Sequence, residues 1–127
     1  MSQVFFLIAS INGFLAVALG AFAAHALKNI LDVQLLATFQ TGVQYHMTHT
    51  LALLVVALLT LQFPQNTLLK VSGWLFILGI VFFSGSLYAL SLSGIRWLGA
   101  ITPIGGVLFL GGWGCLFWLA LKTKFQA

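Results

Sequence analysis

Six charged side chains divide this chain into four apolar stretches, each long enough to cross a lipid bilayer. The six are Lys28, Asp32, Lys70, Arg96, Lys122 and Lys124, and the sequence contains no Glu. About 20 residues rising about 1.5 Å each cover a hydrocarbon layer of roughly 30 Å. The apolar runs predict spans at residues 4–26, 46–63, 71–92 and 99–121 of a 127-residue chain. Charged residues make up 5% of the sequence, against roughly 25% in soluble domains. A surface so poor in ionic groups faces lipid. That excludes a soluble enzyme, a disordered tail and a secreted disulfide scaffold. The net charge of +4 comes from scattered single residues and not from a patch that would neutralise adjacent phosphates, so no nucleic acid is expected as a partner.

The first apolar run differs from a cleaved signal peptide: no Lys or Arg precedes it, and it exceeds the usual 7–15-residue hydrophobic region. It is expected to be a retained span. Residues 29–45 are too polar to cross, yet Leu31, Leu35, Phe39 and Val43 recur every four positions. This pattern predicts a short interfacial helix between spans 1 and 2, with Asp32 favoured near its N-terminus. Pro103 either starts the fourth span, with Thr102 as its cap, or kinks a longer helix. Four spans put both termini on one side, together with Lys70, Lys122 and Lys124, while Lys28 and Arg96 lie on the other. Lysine and arginine bias predicts cytoplasmic termini in a bacterial inner membrane. Trp74, Trp97 and Trp118 suit an interfacial belt; Trp113 does not.

Burial from water cannot drive helix association among lipid tails, so close packing of small residues and interhelical hydrogen bonds must do so. Ala9, Gly13, Ala16, Gly20 and Ala24 line one strip of the first span, and the third and fourth spans are rich in Gly and Ser. The expected fold is all-α: one integral membrane domain over residues 1–127, an antiparallel four-helix bundle.

Chain direction gathers the intramembrane polar residues at one end. His25, Tyr45, His46, His49, Tyr88, Arg96 and Thr102 all fall on the side away from the termini. Buried ionisable groups in membranes are costly and are functional candidates by default. His46 and His49 share a helix face, so a His25, His46 and His49 metal site is a weak candidate, and H-x-x-H lacks a carboxylate partner. Haem held by His25 and His49 is another reading. The structural alternative is that the imidazoles hydrogen-bond to neighbouring helices. Arg96 either meets Asp32, the sole acid, or snorkels to lipid phosphate, and Asp32 could also pair with Lys28 at i, i+4. No paired carboxylates or catalytic triad are available, so no enzyme activity and no catalytic residues are expected. Cys115 is a lone mid-span thiol of the kind that packs as a small hydrophobe.

Four segments carry a resemblance: residues 20–27 (GAFAAHAL), residues 40–45 (QTGVQY) with His49, residues 83–88 (FSGSLY), and residues 102–106 (TPIGG) followed by Gly112 and Trp113. In this order and spacing they resemble the domain-of-unknown-function 423 family of small four-span membrane proteins, which includes the transmembrane-protein-256-like branch. This sequence has Ala23 where members commonly have Gly, and His46 where Gln is frequent. The resemblance implies the four-span architecture and no assigned reaction. Its motif residues coincide with the polar layer: His25, Tyr45, His49, Ser84, Ser86, Tyr88 and Thr102. The expected function is that of a non-enzymatic accessory, assembly or lipid- or partner-interacting membrane protein with no required cofactor. The alternatives are a haem-, quinone- or small-ligand binder using these residues with Arg96, and an oligomeric transporter or channel. Expected partners are the lipid bilayer and a second copy or another membrane protein.

Overall fold

The computed structural model describes residues 1–125. Helix α1 runs Ser2–His25 and ends in a 3-10 turn, Leu27–Asn29; α2 runs Val33–Gln62 and α3 runs Thr67–Gly79. A π-helical turn, Ile80–Ser84, joins α3 to α4 (Gly85–Ser93). A 3-10 turn, Arg96–Ala100, then leads into α5 (Thr102–Lys122). Together these elements make four antiparallel helical rods of 27 to 30 residues, each apolar enough to cross a membrane.

The ends of the rods follow from local chemistry. Asp32 Oδ1 accepts the Leu35 amide at 2.8 Å to cap α2, and Asn66 Oδ1 accepts the Leu69 amide at 3.2 Å to cap α3. Gly94, at φ 72°, closes α4 in the left-handed conformation, with its amide on the Leu90 carbonyl at 2.8 Å. Pro103 lies in the first turn of α5, where its missing N–H costs nothing, and so starts that α-helix. Thr102 is the first helical residue and not the cap.

One expectation is corrected. The interfacial helix predicted between spans 1 and 2 is not a separate element; residues 33–45 form the first turns of α2, which continues unbroken to Gln62. No proline interrupts it, and Thr38 and Thr41 return their hydroxyls to the carbonyls four residues back. The four-residue stripe faces the bundle and not a lipid surface, for Phe39 is fully buried with Ala23 and Leu27 and its ring lies 4.8 Å from that of Tyr88. At roughly 45 Å, α2 is longer than the hydrocarbon layer, so it tilts or emerges from it.

Helix α1 packs on α2, and α5 packs on α3 and the π turn, leaving the α2 and α5 backbones apart. Aromatic rings seat on glycines of neighbouring rods: Phe5 of α1 on Gly73 of α3, and, between α3 and α5, Phe109 on Gly79 and Phe76 on Gly112. At Gly105 the approach is backbone to backbone, since a Cβ there would lie 2.7 Å from Phe83 Cα. Ser72 reinforces the α3–α5 seam by donating to the Gly112 carbonyl at 3.0 Å. The core between the rods is built from Phe5, Leu53, Val56, Leu69, Phe76, Phe109 and Leu119.

Candidate functional site

The π turn lets one span face two neighbours. Its defining bond runs from the Gly85 amide to the Ile80 carbonyl five residues back. It presents Phe83 toward α5 and Tyr45, while Ser84, fully buried, donates to the Gly42 carbonyl of α2 at 2.7 Å. Two residues on, Ser86 and Thr102 share a hydroxyl bond of 2.6 Å that ties α4 to the start of α5.

A directed hydrogen-bond chain crosses three helices below this point. Asn12 Nδ2 donates to the Ile8 carbonyl at 2.9 Å, which fixes the amide orientation and leaves Oδ1 as acceptor. His46 Nε2–H therefore donates to Asn12 Oδ1 at 2.9 Å, and His46 Nδ1 accepts from the Tyr88 hydroxyl at 2.9 Å. Both ring nitrogens of His46 are thus in use, one toward each neighbouring helix. Gly42 makes room for the Tyr88 ring, since a Cβ there would lie 2.9 Å from Tyr88 Cε1.

His49 sits one turn deeper under the same logic. An indole N–H only donates, so Trp113 Nε1–H at 3.1 Å makes His49 Nε2 an acceptor; the proton is on Nδ1, which donates to the Tyr45 carbonyl at 2.8 Å. The imidazole stacks on Phe109 with ring centroids 3.5 Å apart and 7° between planes. Tyr45 stacks on Phe83 at 4.4 Å. Because α2 and α5 diverge, these rings wall a lateral groove of about 500 Å³, lined also by Thr48, Pro103, Val107 and Leu110. Tyr45 and Trp113 are 41% and 45% exposed, so the groove opens sideways. It can hold a flat or flexible apolar body beside a few polar edges.

The expected site residues therefore divide into groups. Tyr45 and His49 form the groove, Tyr88 joins His46, and Ser84, Ser86 and Thr102 are helix clamps. His25 is exposed at the end of α1 and meets neither of the other histidines. Arg96 is exposed and shares a separate groove with Asp32. Among the described residues no three His, Cys, Asp or Glu side chains gather where they could hold a metal ion. His49 has no free nitrogen lone pair for a haem iron, since both ring nitrogens are engaged.

Sequence reasoning missed Asn12, Phe83, Phe109 and the role of Trp113. Two signals were present. Asn12 is a lone amide inside an apolar span, which needs a partner in hydrocarbon. Trp113 lies away from the interfacial belt, and an indole N–H there needs an acceptor.

Residues 19–106 match a family model described as "Protein of unknown function (DUF423)". The chain is 48% identical over 120 residues to the UPF0382 membrane protein YwdK of Bacillus subtilis, covering 94% of this chain and 98% of that one. It is 45% identical over 124 residues to a UPF0382 membrane protein of Haemophilus influenzae, covering 98% of each. It is 41% identical over 123 residues to the UPF0382 inner membrane protein YgdD of Escherichia coli, covering 97% and 93%. No solved structure matches the chain.

Proposed function

Because this chain belongs to the DUF423 family, of unknown function and with membrane proteins as its curated relatives, we propose that it is a non-enzymatic membrane protein that binds a bilayer-borne amphiphile in the α2–α5 groove. The observation that carries this reading is the laterally open groove of about 500 Å³ with its ring walls. Small-molecule sites occupy roughly 300–1,000 Å³ and combine apolar walls with a few fixed polar groups. Here Trp113 and the Tyr45 carbonyl lock the His49 ring in place, so the wall is set before a ligand arrives. A non-enzymatic role is supported by the single Asp and absent Glu and by histidine nitrogens committed to neighbours.

Val107 lines the groove and is 67% exposed, outside the core. Val107→Trp fills the groove without displacing a buried side chain. Protein purified in mild detergent is expected to carry a defined lipid or prenyl-quinone, read by extraction and mass spectrometry, and Val107→Trp is expected to lose it. An identical lipid complement in both proteins overturns the proposal.

The same reading puts the protein in the inner membrane with both termini cytoplasmic, supported by Lys70, Lys122 and Lys124 on the terminal side. A C-terminal alkaline phosphatase fusion is expected to be inactive, and a green fluorescent protein fusion bright. The reverse pattern refutes that orientation.

A further inference from the structure

At the end of the bundle away from the termini, a polar groove of about 240 Å³ lies between the first turns of α2 and the end of α4. Asp32, Gln34, Leu35 and Thr38 form one wall; Leu90, Gly94 and Arg96 form the other. We propose that this groove binds a zwitterionic phosphoethanolamine headgroup, with the phosphate on Arg96 and the primary ammonium on Asp32.

Three observations carry the proposal. The two walls bear opposite charges on exposed side chains, and Asp32 is the only acid in the chain. Asp32 is held by its cap bond, with Oδ1 on the Leu35 amide, which orients the carboxylate and leaves Oδ2 for a cation. The groove lies where spans emerge, and its Arg96 is followed in the chain by Trp97, which is 68% exposed, so it is at headgroup depth. A guanidinium engages phosphate through two parallel N–H donors. An anionic glycerol headgroup would satisfy Arg96 but meet the Asp32 charge unfavourably. A choline headgroup has no N–H for the carboxylate. The chemistry therefore selects a primary ammonium beside a phosphate. The α2–α5 groove plays no part in this selection, so either proposal can fail alone.

The test titrates the full chain in detergent micelles with phosphatidylethanolamine, phosphatidylglycerol or phosphatidylcholine of matched acyl chains, with bound lipid read by native mass spectrometry. Asp32→Asn is the informative variant, because Asn caps a helix as well as Asp and only the charge is lost; circular dichroism checks that α2 is intact. Wild type is expected to prefer the ethanolamine lipid over the glycerol lipid by about fivefold. Asp32→Asn is expected to abolish that preference, and Arg96→Gln to weaken both lipids. Soluble glycerophosphoethanolamine separates the sources: competition assigns recognition to the headgroup alone, and no competition assigns it to the intact lipid. Equal binding of the ethanolamine and glycerol lipids by wild type, or an unchanged preference in Asp32→Asn, overturns the proposal.

Discussion

Replacing Gly105 by Ala is expected to destabilise the bundle by about 1–3 kcal/mol, the usual cost of overpacking a tight contact. The added methyl would meet the backbone of Phe83, including its Cα at 2.7 Å. Backbone held in a π turn between two α-helices cannot step aside as the tip of a side chain can. In water, Gly→Ala inside a helix gains about 1 kcal/mol from propensity, so the sign of the result is diagnostic. Gly114→Ala is the matched control, since nothing lies within 4 Å of a Cβ at that position, and it is expected to be neutral or stabilising. Unfolding in mixed detergent and SDS micelles measures both. A Gly105→Ala protein as stable as the Gly114→Ala control would mean that α5 does not sit on the π turn as described.

The second large effect is expected at His46. Its loss strands the Tyr88 hydroxyl and Asn12 Oδ1 together, in a solvent that offers no replacement. Interhelical hydrogen bonds in membranes average about 0.6 kcal/mol, with a maximum near 1.7, and deleting a buried ring adds a cavity cost. His46→Ala is expected to lose about 2–4 kcal/mol on these grounds. His46→Gln keeps one donor and one acceptor and is expected to lose less than about 1 kcal/mol. Tyr88→Phe should cost stability in wild type and almost nothing once His46 is Ala, because the shared bond is already gone. Additive losses in that cycle would show that Tyr88 and His46 act separately.

Much of the architecture was legible in the sequence because bilayer thickness acts as a ruler. Apolar runs between Lys28, Lys70, Arg96 and Lys122 located the rods. The first half of α2 was misread because Gln34, Thr38, Gln40 and Thr41 make residues 33–45 polar on average. Hydropathy reports average polarity, whereas helix continuity depends on breakers, and no proline lies between Val33 and Gln62. For the candidate site, chain direction gathered the relevant residues at one end but could not pair them. Partners depend on rotation about each helix axis, which is why His46 meets Asn12 and Tyr88 while His25 meets neither histidine. The ring walls were invisible for a different reason. Phe83 and Phe109 look like any lipid-facing Phe until the divergence of α2 and α5 turns them into a wall.

The π turn has one more consequence. A five-residue bond loop holds one residue more than an α-helical loop would, so α3 and α4 are phased separately although they form a single rod. Ser72, Gly73 and Phe76 answer to α1 and α5, and Ser84 and Tyr88 answer to α2. Residues 80–84 are therefore the place where this span can change length by one residue while both halves keep their neighbours. A deletion among residues 85–87 of α4 rotates Tyr88 by about 100° away from His46. Lipid-facing Phe82, 38% exposed within the turn, is the residue that such a shortening would spend.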